Sequence, residues 1–277
     1  MNKFFLLLFI SIIFALGANA SVTVCGNSPD ENGNYSSPYI TRGTITWDAT
    51  SHTLTLDNAV IEYNSGNPYD YFYPIEITED ATILINGECK ILTDGFVALS
   101  LASYDAKDVT ITGNGTLITS STWVDIFVRT TQLTIKNINL ETTEGIGDNG
   151  NGVLCTLTFD NVQAKINGFI ERIGEGITFK NCAITYPEDA YIARNDYGYC
   201  IYCGNDDIPD YIIITRNGSV AGDVNGDGDV TGSDVTALYN YLLFNDSSAI
   251  VNGDQNGDGN ITGSDVTAVY NILLGLN

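Results

Sequence analysis

The sequence predicts a mainly β N-terminal domain, a right-handed parallel β-helix with a β-sandwich as the alternative, followed by a small all-α module. Three observations carry this. Thr, Ile, Asn and Gly are abundant over residues 21 to about 220, where Leu-rich helical stripes are few. Short cores of alternating apolar residues, each closed by Asn or Gly, recur there at intervals of 20 to 29 residues. Beyond residue 222 one twelve-residue segment occurs twice, and each copy leads into an apolar stripe of helical period. The expected division is an export signal over 1–20, the β domain over 21–221 and the all-α module over 222–277.

Residues 1–20 have the build of a secretory signal peptide. Lys3 gives a short positive start, Phe4 to Leu16 an apolar run, and Ala18-Asn19-Ala20 a small-x-small cleavage site. The run is too short to span a bilayer. Cys25 does not directly follow the cleavage site, where a lipid-anchor cysteine would sit. The expectation is therefore a secreted, extracellular protein with no membrane span. Without Lys3 the chain holds 10 basic and 34 acidic residues, a balance of −24. Such a charge argues against nucleic acid as a partner, because phosphate binding needs basic patches.

Six cores define the β domain: Leu54-Thr55-Leu56-Asp57-Asn58, Ile83-Leu84-Ile85-Asn86-Gly87, Val109-Thr110-Ile111-Thr112-Gly113, Leu133-Thr134-Ile135-Lys136-Asn137, Leu157-Thr158-Phe159-Asp160-Asn161 and Ile177-Thr178-Phe179-Lys180-Asn181. Period-2 alternation means strands with one face inward. Asn and Gly at the fifth place are the residues that accept a left-handed bend. A second short strand follows the bend, as in Ile138-Asn139-Leu140. A repeat of 20 to 30 residues with two or more strands reads as a solenoid, here of about six or seven coils. Asn58, Asn137, Asn161 and Asn181 are expected at equivalent bends, with adjacent side chains stacked. Val22 to Tyr39 should cap one end, and Tyr211 to Thr215 should form a last strand.

An even number of cysteines in an exported chain points to disulfides. The six are Cys25, Cys89, Cys155, Cys182, Cys200 and Cys203. Cys200-Ile201-Tyr202-Cys203 has C-x-x-C spacing, but no helix follows it and no further soft ligands adjoin it. A structural disulfide or buried thiols is the reading, rather than a redox pair or a zinc site.

Catalytic signatures are thin. His52 reads as an exposed turn residue. Asp125 and Arg129 share one face of a predicted strand and read as an outward ion pair. Asp206-Asp207 is the one Asp pair of the β domain, and it lies in a turn. The aromatic residues say more. Tyr63, Tyr69, Tyr71, Phe72 and Tyr73 form one cluster, and Tyr197, Tyr199 and Tyr202 another. Tyr69, Tyr71 and Tyr73 are the candidate carbohydrate contacts, since flat rings stack on sugar faces and neighbouring Asp and Asn accept hydroxyl protons.

The duplicated segment carries the most specific chemistry. Its copies run from Asp223 to Asp234 and from Asp254 to Asp265, 31 residues apart. Calcium takes six to eight oxygen ligands, and an EF-hand-like loop supplies them at fixed positions. Positions 1, 3 and 5 are Asp223, Asn225 and Asp227, then Asp254, Asn256 and Asp258. Gly228 and Gly259 allow the turn at position 6. Asp229 and Asn260 offer carbonyls at position 7. Asp234 and Asp265 close the shell, where an EF-hand has the longer Glu, so the following helix must sit closer to the ion. Two Ca²⁺ ions are expected. From Gly222 onward there are eight Asp and no Lys, Arg, His or Glu, so two ions would halve a local charge of −8.

Gly, Ser and β-branched residues before each loop argue against an entering helix. After each loop, Val235, Leu238, Tyr239 and Leu242, and then Val266, Val269, Tyr270 and Leu273, keep helical spacing. This loop-plus-helix pair resembles a type I dockerin over residues 222–277. The resemblance implies a cohesin on a scaffold or cell-surface protein as partner, contacted through Gly232, Ser233, Gly263 and Ser264. The N-terminal part resembles the β-helices of polysaccharide-associated proteins, at the level of fold alone. The function these readings imply is a secreted component of a polysaccharide-degrading assembly, whose β-helix binds carbohydrate. Two other readings stay open: a polysaccharide-cleaving hydrolase or lyase whose site the sequence does not reveal, and a structural or adhesive surface protein.

Overall fold

Alternation decides what goes inside. Leu54, Leu56, Ile83, Ile85, Val109, Ile111, Leu133, Ile135, Leu157 and Phe159, the first and third residues of five cores, are all buried. Each such side chain contributes about 1.5–3 kcal/mol by leaving water. They line one continuous core that runs the length of the β domain. A computed structural model describes residues 21–67, 72–148, 154–216, 221–226, 229–247, 249–256, 258 and 260–276. The export signal expected over 1–20 lies outside these residues, as do Tyr69, Tyr71, Asp227, Gly228 and Gly259.

Two strands open the chain, β1 (Val22–Val24) and β2 (Ile40–Asp48). The coils follow as β3 (Thr53–Tyr63), β4 (Ile75–Ile77), β5 (Ala81–Asn86), β6 (Glu88–Thr93), β7 (Val97–Gly113), β8 (Thr116–Ser120) and β9 (Val124–Lys136). They continue through β10 (Asn139–Thr142), β11 (Gly145–Gly147), β12 (Thr156–Asp160), β13 (Gln163–Asn167), β14 (Phe169–Glu171), β15 (Gly176–Lys180) and β16 (Cys182–Tyr186). A hairpin, β17 (Tyr191–Asn195) and β18 (Gly198–Tyr202), and then β19 (Tyr211–Arg216) complete the domain.

The pairing is that of a parallel β-solenoid, not a sandwich. On the first face β3, β5, β7, β9, β12 and β15 run parallel, each paired with the next. On the second, the later part of β3 pairs with β6, then β8, β10 and β13 follow. On the third, β4, β7, β9, β11 and β14 pair in turn. β3, β7 and β9 are long because each bends round a corner and serves two faces.

Both ends are closed by antiparallel strands. β1 lies against β4 and β2 against β3, so the N-terminal cap expected over Val22 to Tyr39 reaches further, through β2 to Asp48. β19 runs antiparallel between β13 and β16, and Tyr199 of β18 bridges to Ile173. Such antiparallel closures cover part of the edge on which another chain could template a strand. They also shorten the solenoid. After Glu171 the chain does not return to a third parallel face, so complete coils are fewer than the six or seven expected.

Five of the six predicted bends are where the sequence puts them; Gly113, with φ 140°, still belongs to β7 and faces Ile85 rather than Gly87. Asn58, Asn137, Asn161 and Asn181 have φ of 47°, 58°, 53° and 52°, and Gly87 has 68°. Stacking is only partial. The Asn161 amide donates to the Asn137 side chain at 3.0 Å, whereas Asn181 donates to Asp160 and Asn58 to Asp57. Register departs from the core alignment once. Val109 faces Ala81, and Gly113 faces Ile85. A shift of two residues keeps every side chain on its own face, so alternation alone does not reveal it.

Two expectations fail. Asp125 and Arg129 do not pair. Asp125 is fully buried and accepts from the Ser121 hydroxyl at 2.8 Å and from the amides of Thr143 and Glu144. Arg129 reaches Asp148 instead, at 3.4 Å. The cysteines form no disulfide; all six are free, and all but Cys203 are buried. Cys200 lies within β18, while Cys203 falls beyond its end and pairs as a backbone bridge with Asp207. Odd spacing along extended chain sends the two side chains to opposite sides. Burial pushes the Cys25, Cys89, Cys155 and Cys182 thiols up from their ordinary pKa, which keeps them protonated and unreactive.

Gly145 tests how tight the stack is. Its φ is +100°, and a Cβ there would run into the Phe169 carbonyl of the next coil. Gly66, with φ +70°, has open space around it. Gly66→Ala should cost only the left-handed backbone penalty, about 1–2 kcal/mol. Gly145→Ala should cost about 3 kcal/mol or more. Urea unfolding of the two variants that gave equal midpoints would contradict this packing.

Candidate metal loops and docking face

Two helices follow the solenoid, α1 (Gly232–Phe244) and α2 (Gly263–Leu273). Each begins at a threonine in extended conformation, Thr231 or Thr262. Its hydroxyl accepts from the Ser233 or Ser264 amide, and the aspartate three residues on answers back to the threonine amide. This reciprocal capping satisfies helix N–H groups that have no partner within the helix. Asp234 and Asp265 also place a negative charge where the helix dipole favours it.

The same two carboxylates organise the loops. One oxygen of Asp234 accepts from the amides of Val224 at 2.8 Å and Asn225 at 3.1 Å, and the other accepts from Thr231 at 2.8 Å. Asp265 repeats the pattern with Gln255 at 2.8 Å, Asn256 at 3.1 Å and Thr262 at 2.7 Å. Both aspartates are fully buried. Burial works against the Asp265 carboxylate, but the Thr262, Asn256 and Gln255 amides outweigh it and hold its pKa below the ordinary value.

Other predicted ligand residues lie along the same loops. Asp223 accepts from the Gly226 amide at 2.7 Å, and Asp254 from the Asp258 amide at 3.1 Å. Asp258 accepts from the Asn260 amide at 2.9 Å. Asp229 is exposed. Every side-chain donor in the set is an oxygen, the chemistry Ca²⁺ takes. Among the described residues, however, no three His, Cys, Asp or Glu side chains converge as a metal cluster.

The positions expected to contact a partner are tied to the loops. Asn225 donates its amide to the Ser233 hydroxyl at 3.0 Å, and Asn256 does the same to Ser264 at 2.7 Å. The Asn256 side-chain oxygen in turn accepts from the Asp258 amide at 2.9 Å. Gly232, Ser233, Gly263 and Ser264 are all exposed. Each pair therefore stands at the head of a helix, on the surface, one hydrogen bond from a loop residue.

Packing of the helical stripes is half what the spacing suggests. Val235, Leu238, Val266 and Val269 are buried with Val224 and Ala237 in a small core. Tyr239, Leu242, Tyr270 and Leu273 stay 37–44% exposed, and Leu243, Phe244, Leu274 and Leu276 are more exposed still. The helices meet near their N-terminal ends and leave an apolar surface at the other. Spacing alone does not expose this, because it says which residues share a face but not how far along the partner reaches. The capping role of Asp234 and Asp265 was readable from Thr-x-x-Asp ahead of each stripe.

Residues 221–274 match the family model for the dockerin type I domain, and this part of the chain is such a domain. Dockerins of this type bind calcium and couple their proteins to cohesins. No curated protein and no solved structure matches the chain. Among the described residues no helix is long and apolar enough to cross a membrane.

Asp265→Ala should cost more than Thr262→Ala. The first strips three amides of their acceptor, about 2–4 kcal/mol. The second removes one cap, about 1 kcal/mol. Helical circular dichroism followed through urea should rank the two variants in that order, and the reverse order would contradict the dual role given to Asp265.

Proposed function

We propose that the chain is an exported component of a polysaccharide-degrading assembly, in which the dockerin fastens the solenoid to a cohesin and the solenoid binds carbohydrate. The dockerin match over residues 221–274 carries this reading. Two Ca²⁺ ions would be held by Asp223, Asn225, Asp227, Asp229 and Asp234 in the first loop. Asp254, Asn256, Asp258, Asn260 and Asp265 would hold the second. When bound, the ions supply positive charge to a segment that has none of its own, relieving repulsion that opposes the compact state.

The residues of this chain then have separable duties. Asp234 and Asp265 join each loop to its helix. Gly232, Ser233, Gly263 and Ser264 present a small, polar surface to the cohesin. The exposed apolar ends of α1 and α2 extend that surface and suit a partner that buries them. For the solenoid, exposed aromatic side chains and a strongly acidic composition favour a hydroxyl-rich partner over nucleic acid or an acidic membrane.

Capture on immobilised cohesin tests the coupling. Wild-type chain should be retained with calcium and lost in chelator, by at least tenfold. The double variant Asp234→Ala/Asp265→Ala should fail to bind in either condition. Retention in chelator, or by the double variant, would overturn the calcium-dependent mechanism. Release of reducing sugar from plant-wall polysaccharides by the purified chain would replace the binding role with a catalytic one.

A further inference from the structure

A cleft of about 430 Å³ opens on the outer side of the third face, within the size range of small-ligand sites. Its floor is one row across three strands. Glu76 on β4 stands beside Ser100 on β7, and Ser100 beside Phe127 on β9. Ile75, Leu99 and Ile126, their neighbours in sequence, all point into the core, so alternation turns the row outward. Tyr73, Tyr104 and Arg129 add to the walls. Tyr104 is fully exposed.

Two features of the cleft point to a ligand. Ser100 is 1% exposed, and its hydroxyl has no hydrogen-bond partner among the described residues. A buried hydroxyl left unsatisfied is unfavourable, and a polar group entering the cleft would complete it. Beside it, Tyr73 lines the same space, while Phe127 is 6% exposed and its ring lies under Arg129.

Charge narrows the class. A cation finds the Phe127 ring face, where it would sit, already taken by the Arg129 guanidinium at 5.4 Å from the ring centre. An anion meets Glu76 in the wall, finds Arg129 already bonded to Asp148 at 3.4 Å, and approaches a chain of net charge −23. What remains is a neutral molecule with hydroxyls on its edge and an apolar face. We propose that this cleft is a subsite for one sugar unit of a neutral polysaccharide, set against the Tyr73 ring. Glu76 accepts from its hydroxyls, and Ser100 exchanges a hydrogen bond with it. The assignment rests on the carbohydrate-binding role proposed for the solenoid, and it adds the place and the class of sugar.

Calorimetry on the full chain with calcium tests both levels. The probes are cellohexaose, xylohexaose and mannohexaose, with hexagalacturonate as the acidic arm. At least one neutral probe should bind. Glu76→Ala and Tyr104→Ala, both at accessible positions, should each weaken it tenfold or more with no change in melting temperature. Ser100→Ala should weaken it about threefold. Tyr197→Ala, at an exposed tyrosine in the β17–β18 turn, should leave affinity unchanged. Preference for hexagalacturonate would overturn the charge argument and the proposal with it. Neutral binding that survives Glu76→Ala and Tyr104→Ala would overturn this site while leaving a carbohydrate role elsewhere on the solenoid. Failure of every probe to bind would overturn both.

Discussion

A buried aspartate at the head of each helix is the constraint on which the C-terminal module depends. Asp234 and Asp265 each accept three backbone amides, two from the start of the loop and one from the helix cap. A carboxylate removed from water is costly unless charge-assisted hydrogen bonds replace its hydration, and here they do. The same bonds close each loop onto its helix. A glutamate would place its carboxylate one methylene further out, so the shorter side chain draws loop and helix together. The exposed serines beside each cap then inherit a fixed position, through Asn225 and Asn256.

The solenoid supplies a different kind of rigidity. Its stability comes from repetition, with each coil burying its inner row on the next. Outer rows are free to vary, and one of them gathers Glu76, Ser100 and Phe127 beneath exposed Tyr104. A stiff stack holds such a row at fixed spacing. In the function proposed above, the dockerin and the solenoid divide the work: the one binds a partner through loops that respond to an ion, and the other offers a preformed surface.

Much of this was legible in the residues. Period-2 cores closed by Asn or Gly gave strands and corners, because few residues tolerate φ near +50°. The duplicated loop gave the family, because oxygen ligands at the five matched positions 1, 3, 5, 7 and 12 have few other uses. What stayed hidden depends on relations between coils. The two-residue slip at Val109 leaves every side chain on its proper face. Asp125 has the strand phase of a surface residue, yet the Thr143 and Glu144 amides of the following coil cover it. Cysteine count suggested cross-links, but a long continuous core does not need them, and burial disposes of the thiols instead. The cleft escaped notice because its residues come from three coils, and only Tyr73 stood in an aromatic cluster.

The central claim is that the paired loops grip divalent ions and thereby order two short helices. Calcium titration of metal-stripped full-length chain, read by calorimetry and far-ultraviolet circular dichroism together, tests it most directly. The account predicts two ions bound per chain, with helical signal rising as they bind. Heat-silent titration with unchanged ellipticity would contradict it.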